Sequence, residues 1–202
     1  QEVEICRRIE ARQTELRRTL AALPIVVHTL LNLAHGVRAD AILIETLLLR
    51  PESGEPKPEE LRSILTTFAR LRRLQHEINR LQGDFRGRRR PAATRVRDRR
   101  RIARHRETIQ QSVADLPIKP ARVDEMVAEL RRLNERIREL EAEPPTRRRA
   151  RELRALEAWI GLPRQAFREL LARISENDQQ IRDAKHALME ANLRLVVSVA
   201  KR

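Results

Sequence analysis

LRSILTTFARLRRLQHEINRL, residues 61–81, decides the fold class. Leu61, Ile64, Phe68, Leu71, Leu74, Ile78 and Leu81 recur in it at steps of three and four. That spacing is the seam of an amphipathic helix lasting about three heptads. A second run, VDEMVAELRRLNERIREL at 123–140, repeats it with Val123, Met126, Leu130, Leu133, Ile137 and Leu140. Gly83 and Gly87 are expected to end the first helix, and Pro144-Pro145 the second. The pair reads as two antiparallel helices packed along one stripe. Ordinary bundle helices and a true coiled coil share this pattern.

Helical spacing continues outward from the seams. Val3, Ile5, Ile9, Leu16, Leu20 and Leu23 mark a first helix. Pro24 opens a second, with Val26, Val27, Leu30, Leu31 and Leu33, ending near Gly36. Ala41 to Leu49 is a short apolar stretch, and PESGEPKP at 51–58 reads as a loop. Beyond the second seam, Leu153, Leu156 and Ile160 form a helix that stops at Gly161-Leu162-Pro163. Phe167, Leu170, Leu171 and Ile174 suit a short helix. Ser175 with Asp178 then resembles a capping box that starts a new, long helix on the stripe Ile181, Ala184, Leu188, Ala191, Leu195, Val199.

Composition agrees with an all-α helical bundle carrying an inserted antiparallel helical hairpin. Ala, Glu, Lys, Leu and Arg supply 115 of the 202 residues, and aromatics only 2%. Strands would need β-branched and aromatic residues that the chain lacks. The length suits one domain or two small ones. Five glycines leave no glycine-rich phosphate loop, and there is no GxSxG, CxxC or HxxxH. His28, His35, His76, His105 and His186 are scattered, so no zinc site is expected. Carboxylates sit beside arginines at helical spacing and read as solvated ion-pair faces, each pair worth about 0.3–0.5 kcal/mol. Cys6, between Ile5 and Arg7, reads as a small buried apolar residue, and one thiol fits a reducing cytoplasm. No enzyme activity, cofactor, metal or small-molecule substrate is expected. The longest uncharged run, 19–37, carries Pro24, His28, Asn32 and His35, which makes it a poor membrane span. The chain opens without methionine and both ends fall in helical pattern, so it is expected to be a piece of a longer protein.

The formal charge is +14, from 39 Arg and 4 Lys against 29 acids. A surplus of that size points to an anionic partner, most often nucleic acid. Gly83 to Arg106 holds eleven arginines and two acids, Asp84 and Asp98, and so carries +9 by itself. With few large apolar residues, this stretch is expected to be an Arg-rich loop or a fraying helix end. Arg88, Arg89, Arg90, Arg99, Arg100 and Arg101 are its candidate non-specific phosphate contacts. A solvated linker is the other reading. Base stacking is not offered there, since Phe85 is the segment's one aromatic.

The last sixteen residues, ALMEANLRLVVSVAKR at 187–202, carry a more specific signal. They closely resemble the start of region 2.1 in the primary (housekeeping) sigma factors of bacterial RNA polymerase, the sigma-70 family. There the pattern is M-x-E-A-N-L-R-L-V-x-S-x-A-K-K/R. QEVEICRRIE at 1–10 is similar to the family's E-x-E-I-A-K-R-I-E at the end of region 1.2. The resemblance divides the chain into 1–38 (end of region 1.2), 39–160 (the non-conserved insert, with its Arg-rich loop at 83–106) and 161–202 (approach to and helix of region 2.1). It is firm over about 1–10 and 175–202. The insert matches loosely, through its helix pattern and the Leu-Pro pairs at 116–117 and 162–163. Family inserts are often acidic, whereas this one is basic.

The resemblance implies roles for particular residues. Asn192 and Leu195, with Glu2, would line a pocket for a flipped base of the promoter −10 strand. An amide can pair with a base edge and Leu supplies an apolar wall. Leu193 and Val196 would contact core polymerase. The implied partners are the core enzyme, at the clamp region of its largest subunit, and promoter DNA, in the cytoplasm. Two rivals stand beside it. One is a stand-alone Arg-rich helical protein that binds nucleic acid non-specifically; the other is a coiled-coil scaffold that self-associates through the two seams.

Overall fold

The computed structural model describes residues 2–39, 41–49, 58–87 and 91–200, with side chains at all of these except 2, 84–87 and 194–200. The chain is all-α. In order come α1 (Glu2–Leu20), α2 (Pro24–Arg38), a 3-10 turn (Ile44–Thr46), α3 (Pro58–Gly87), α4 (Ala92–Ala114), α5 (Pro120–Ala142), α6 (Arg147–Ile160) and α7 (Arg164–Ala200). The loop read at 51–58 lies outside the described residues, apart from Pro58, which opens α3.

Helix ends follow local chemistry. Pro24 and Pro120 sit in the first turns of α2 and α5, where the missing N–H costs nothing. The Thr146 hydroxyl caps α6 by accepting the Arg149 N–H at 3.1 Å. Gly161 closes α6 with φ +82°, a left-handed cap that side chains other than glycine rarely adopt. The stop expected at Gly161 is therefore where α6 ends.

One continuous core joins all seven helices. Leu20, Leu23, Leu30, Leu71, Ile118, Leu130, Ile137, Leu140, Ile160, Phe167 and Ile174 are among its fully buried side chains. The short apolar stretch at 41–49 joins this core through Leu47 and Leu48. Leu48 forms an antiparallel bridge with Ile118, and Leu49 N–H donates to the Pro117 carbonyl at 2.8 Å. Two connectors far apart in sequence are pinned together in this way.

Five expectations change. The two seams do not share one stripe. α3 buries Phe68, Leu71, Ile78 and Leu81 mainly toward α4 and α2, whereas α5 packs on α6 and α7. Gly83 does not stop α3, which runs on to Gly87, the last of the two expected stops. Nothing lies within 4 Å of a side chain added at Gly83, so only its intrinsic cost, about 1 kcal/mol, opposes the helix. The described part of the Arg-rich stretch at 83–106 is mostly helix and not loop: α3 reaches Gly87 and α4 begins at Ala92. Arginine and alanine are good helix formers, and Ile102, Ile109 and Val113 give α4 a buried stripe.

The fourth change concerns Ser175 and Asp178. They cap nothing, because α7 is continuous from Arg164 to Ala200 and holds neither glycine nor proline. The Asp178 carboxylate, 7% exposed, instead accepts from Arg131 of α5 at 2.7 Å and pairs with Arg182 at 3.1 Å. A short polar residue that read as a cap is an interhelical anchor. Cys6, read as buried, is exposed.

Candidate nucleic-acid interface

The two segments at the chain's ends meet through α1 and α7, the most extensive helix pair in the fold. Gly161, just before α7, lies against Pro24, just after α1: a Cβ at Gly161 would meet the Pro24 ring at 2.8 Å. Farther along, Arg173 reaches Glu15 at 4.0 Å. The helices are therefore antiparallel. Glu2 stands level with about Lys185, and from there α7 runs on for roughly 22 Å to Ala200 at 1.5 Å per residue.

Cover over α7 fades from Phe167 to Leu193. Phe167 and Ile174 are fully buried, and Ile181 and Ala184 are buried. Leu188 and Ala191 are half-buried. Met189 is 56% exposed, Leu193 64%, and Val3 at the start of α1 66%. Asn192 is exposed beside Leu193. Successive residues on a helix point about 100° apart, so an amide and an apolar side chain look outward in different directions from one turn. The backbone of Glu2 starts α1 and those of Leu195 and Val196 belong to α7, but their side chains lie outside the described set.

The basic stretch behaves differently. Arg88, Arg89 and Arg90 lie outside the described residues. On α4, Arg95, Arg97, Arg99, Arg100, Arg104 and Arg106 are exposed. Helical geometry sorts them into two rows, Arg97-Arg100-Arg104 and Arg95-Arg99-Arg106. No ion pair involves any of the six among the described residues. Arg101 is different again: it pairs with Glu77 of α3 at 2.8 Å, and Glu77 also holds Arg80 at 2.8 Å. The Arg80 hydrogen bond, helped by the charges of Arg80, Arg101 and His105, holds the Glu77 carboxyl below its ordinary range against the opposing effect of desolvation. Arg101 thus spends its charge within the fold, whereas Arg99 and Arg100 present theirs to solvent.

Elsewhere arginines close the structure. Glu141 of α5 takes Arg164 at 2.9 Å and also binds Arg168, while Glu157 of α6 takes Arg164 at 2.8 Å. Desolvation would raise the Glu141 carboxyl, but the hydrogen bonds and charges of Arg168 and Arg164 outweigh it and hold it low. Arg17, half-buried, donates Nε–H to the Ala114 carbonyl at 2.9 Å, a cation on the last turn of α4. Its burial lowers the guanidinium's proton affinity, partly offset by Asp115.

Among the described residues, no group of His, Cys, Asp and Glu could hold a metal ion, and no single helix is long and apolar enough to cross a membrane. No family model matches the chain, and no curated protein matches it.

Proposed function

We propose that this chain is a segment of a primary sigma factor of bacterial RNA polymerase. It acts by binding, not catalysis. It helps attach the sigma factor to the core enzyme and position the −10 strand during transcription initiation, in the cytoplasm. The observation that carries the reading is the α1–α7 pair. The two stretches that resemble the family, at opposite ends of the chain, lie on helices packed antiparallel over the length of α1. The exposed Asn192 amide suits a base edge; the resemblance alone adds Leu195 and Glu2 to that role. The exposed Leu193 suits a protein contact, with Val196 one turn on. The coding sequence beyond the Arg202 codon tests this. A frame that continues into an aromatic-rich helix and then a helix-turn-helix supports it; a stop codon directly after Arg202 overturns it.

A second reading has its own observation. The six exposed arginines of α4, with no ion pair among the described residues, favour non-specific binding to nucleic acid, either alone or as a service of the insert to the sigma factor. It predicts affinity that falls steeply with salt and ignores sequence.

A further inference from the structure

Helices α2, α3, α4 and α6 border a groove that shares only Arg106 with the second reading. Its volume is about 1100 Å³. On one side α2 presents His28 and Asn32, one turn apart. On the other α3 presents Gln75 and Asn79, again one turn apart. Arg106 of α4 and Trp159 of α6 complete the lining. A second depression of about 400 Å³ shares those four residues of α2 and α3 and adds His35, Arg72 and His76. The two are continuous along the α2–α3 seam, since His35 lies two turns beyond His28.

The lining has a consistent chemistry. Arg72 and Arg106 are exposed cations with no ion pair among the described residues. Glu157, a carboxylate of the larger groove, is already held by Arg164 at 2.8 Å. The amides are oriented. Asn32 is fixed on His28 at 2.9 Å, and Gln75 donates to Asn79 Oδ1 at 2.9 Å, which leaves the Asn79 N–H groups to meet a ligand. Trp159 is 55% exposed, an unusual position for the largest apolar side chain.

We infer that this groove binds a short single-stranded nucleic acid. Trp159 stacks a base, the amides of Asn32, Gln75 and Asn79 meet base edges, and Arg72 and Arg106 meet backbone phosphates. A duplex keeps its base faces inside the stack and has no free ring to offer Trp159. An acidic peptide would use the cations but neither the indole nor the amides. The site is separate from Asn192 and Leu193 and shares only Arg106 with the rows of α4, so it stands or falls independently of the sigma-factor reading.

Trp159 is the chain's one tryptophan and there is no tyrosine, so intrinsic fluorescence reports on this groove. The full chain is titrated with oligothymidylate, oligouridylate, a matched duplex and poly-glutamate, while fluorescence anisotropy of labelled strands measures total binding. Single strands are expected to quench Trp159 to saturation. The duplex is expected to bind through α4 and leave Trp159 unquenched. Comparing the thymidylate and uridylate arms tells whether DNA or RNA is preferred. Arg72→Gln with Arg106→Gln, both exposed, should lower single-strand affinity about tenfold with unchanged circular dichroism. Single-strand binding without quenching, wild-type affinity in the double variant, or equal quenching by poly-glutamate would overturn the inference.

Discussion

Arginine is used in two ways here, and α4 set against the α5–α7 junction makes the difference plain. At the junction Arg131, Arg164 and Arg168 end on Asp178, Glu141 and Glu157, which are buried or half-buried. Along α4, Arg95, Arg97, Arg99, Arg100, Arg104 and Arg106 end in water. The total charge of +14 is therefore not itself a binding footprint. Part of it is fastening, and only the uncompensated part can reward an anionic partner.

The largest expected effect tests the open side of that contrast. Arg97→Gln, Arg100→Gln and Arg104→Gln together remove one row of α4. If each arginine meets a phosphate, the slope of log affinity against log salt should fall by about 2.7, near 0.9 per contact. Affinity for duplex DNA should drop about a hundredfold at moderate salt, with a melting temperature within about 1 °C of wild type. An unchanged slope would make these arginines plain solvated charge and leave the linker reading standing.

The closed side comes next. Arg164→Gln with Arg168→Gln strips Glu141 of both partners and Glu157 of one. We expect a loss of about 2 kcal/mol, the lower part of the range for hydrogen bonds to charged groups, because these side chains are a third exposed. For a chain of this size that lowers the melting temperature by about 4–8 °C, read by circular dichroism. The salt slope of DNA binding should stay at the wild-type value. If the slope fell instead, the distinction between fastening and presenting arginines would collapse.

The same contrast runs within α7, whose first half is buried while Met189 and Leu193 are exposed. Leu193→Asp should reduce binding to core polymerase about tenfold while leaving helicity intact, since Leu193 is exposed. A collapse in circular dichroism would mark Leu193 as packed, and wild-type polymerase binding would remove it from the interface.

What could be read from the sequence follows a similar line. The helices were legible because apolar spacing is local, and α6 ends at Gly161 because a left-handed cap is a local demand. Which helices pair was not legible. Both seams look alike, and only the folded chain sends α3 to α4 and α5 to α6 and α7. The Arg-rich stretch misread as a loop shows charge outweighing propensity in the reading, though Ile102, Ile109 and Val113 were there to be counted. Asp178 was misread because a cap and an interhelical anchor demand the same short carboxylate; its partner Arg131 is 47 residues away. The groove left a trace too. His28, Asn32 and His35 form a polar row at helical steps on an otherwise apolar α2, but nothing in one helix tells that Gln75, Asn79 and Trp159 will face it.

The smallest expected effect separates fastening from presenting by pH alone. Glu77 and Glu141 have carboxyls held below their ordinary value of 4.5 by the arginines they grip. A carboxylate whose proton affinity is lower in the folded state stabilises the fold above its unfolded value, and that contribution is lost as pH falls through the folded one. Stability from these pairs is thus complete at neutral pH and fades only below about 4.5. Glu141→Gln should cost less than about 1 kcal/mol of stability at neutral pH and flatten the acid limb of the stability curve. Arg97, Arg100 and Arg104, unlike Arg101, have no carboxylate partner among the described residues, so neutralising them should leave that limb unchanged. If Glu141→Gln and the α4 variant altered the acid limb alike, the limb would report general charge repulsion, and the junction pairs would have no special part in holding α5, α6 and α7 together.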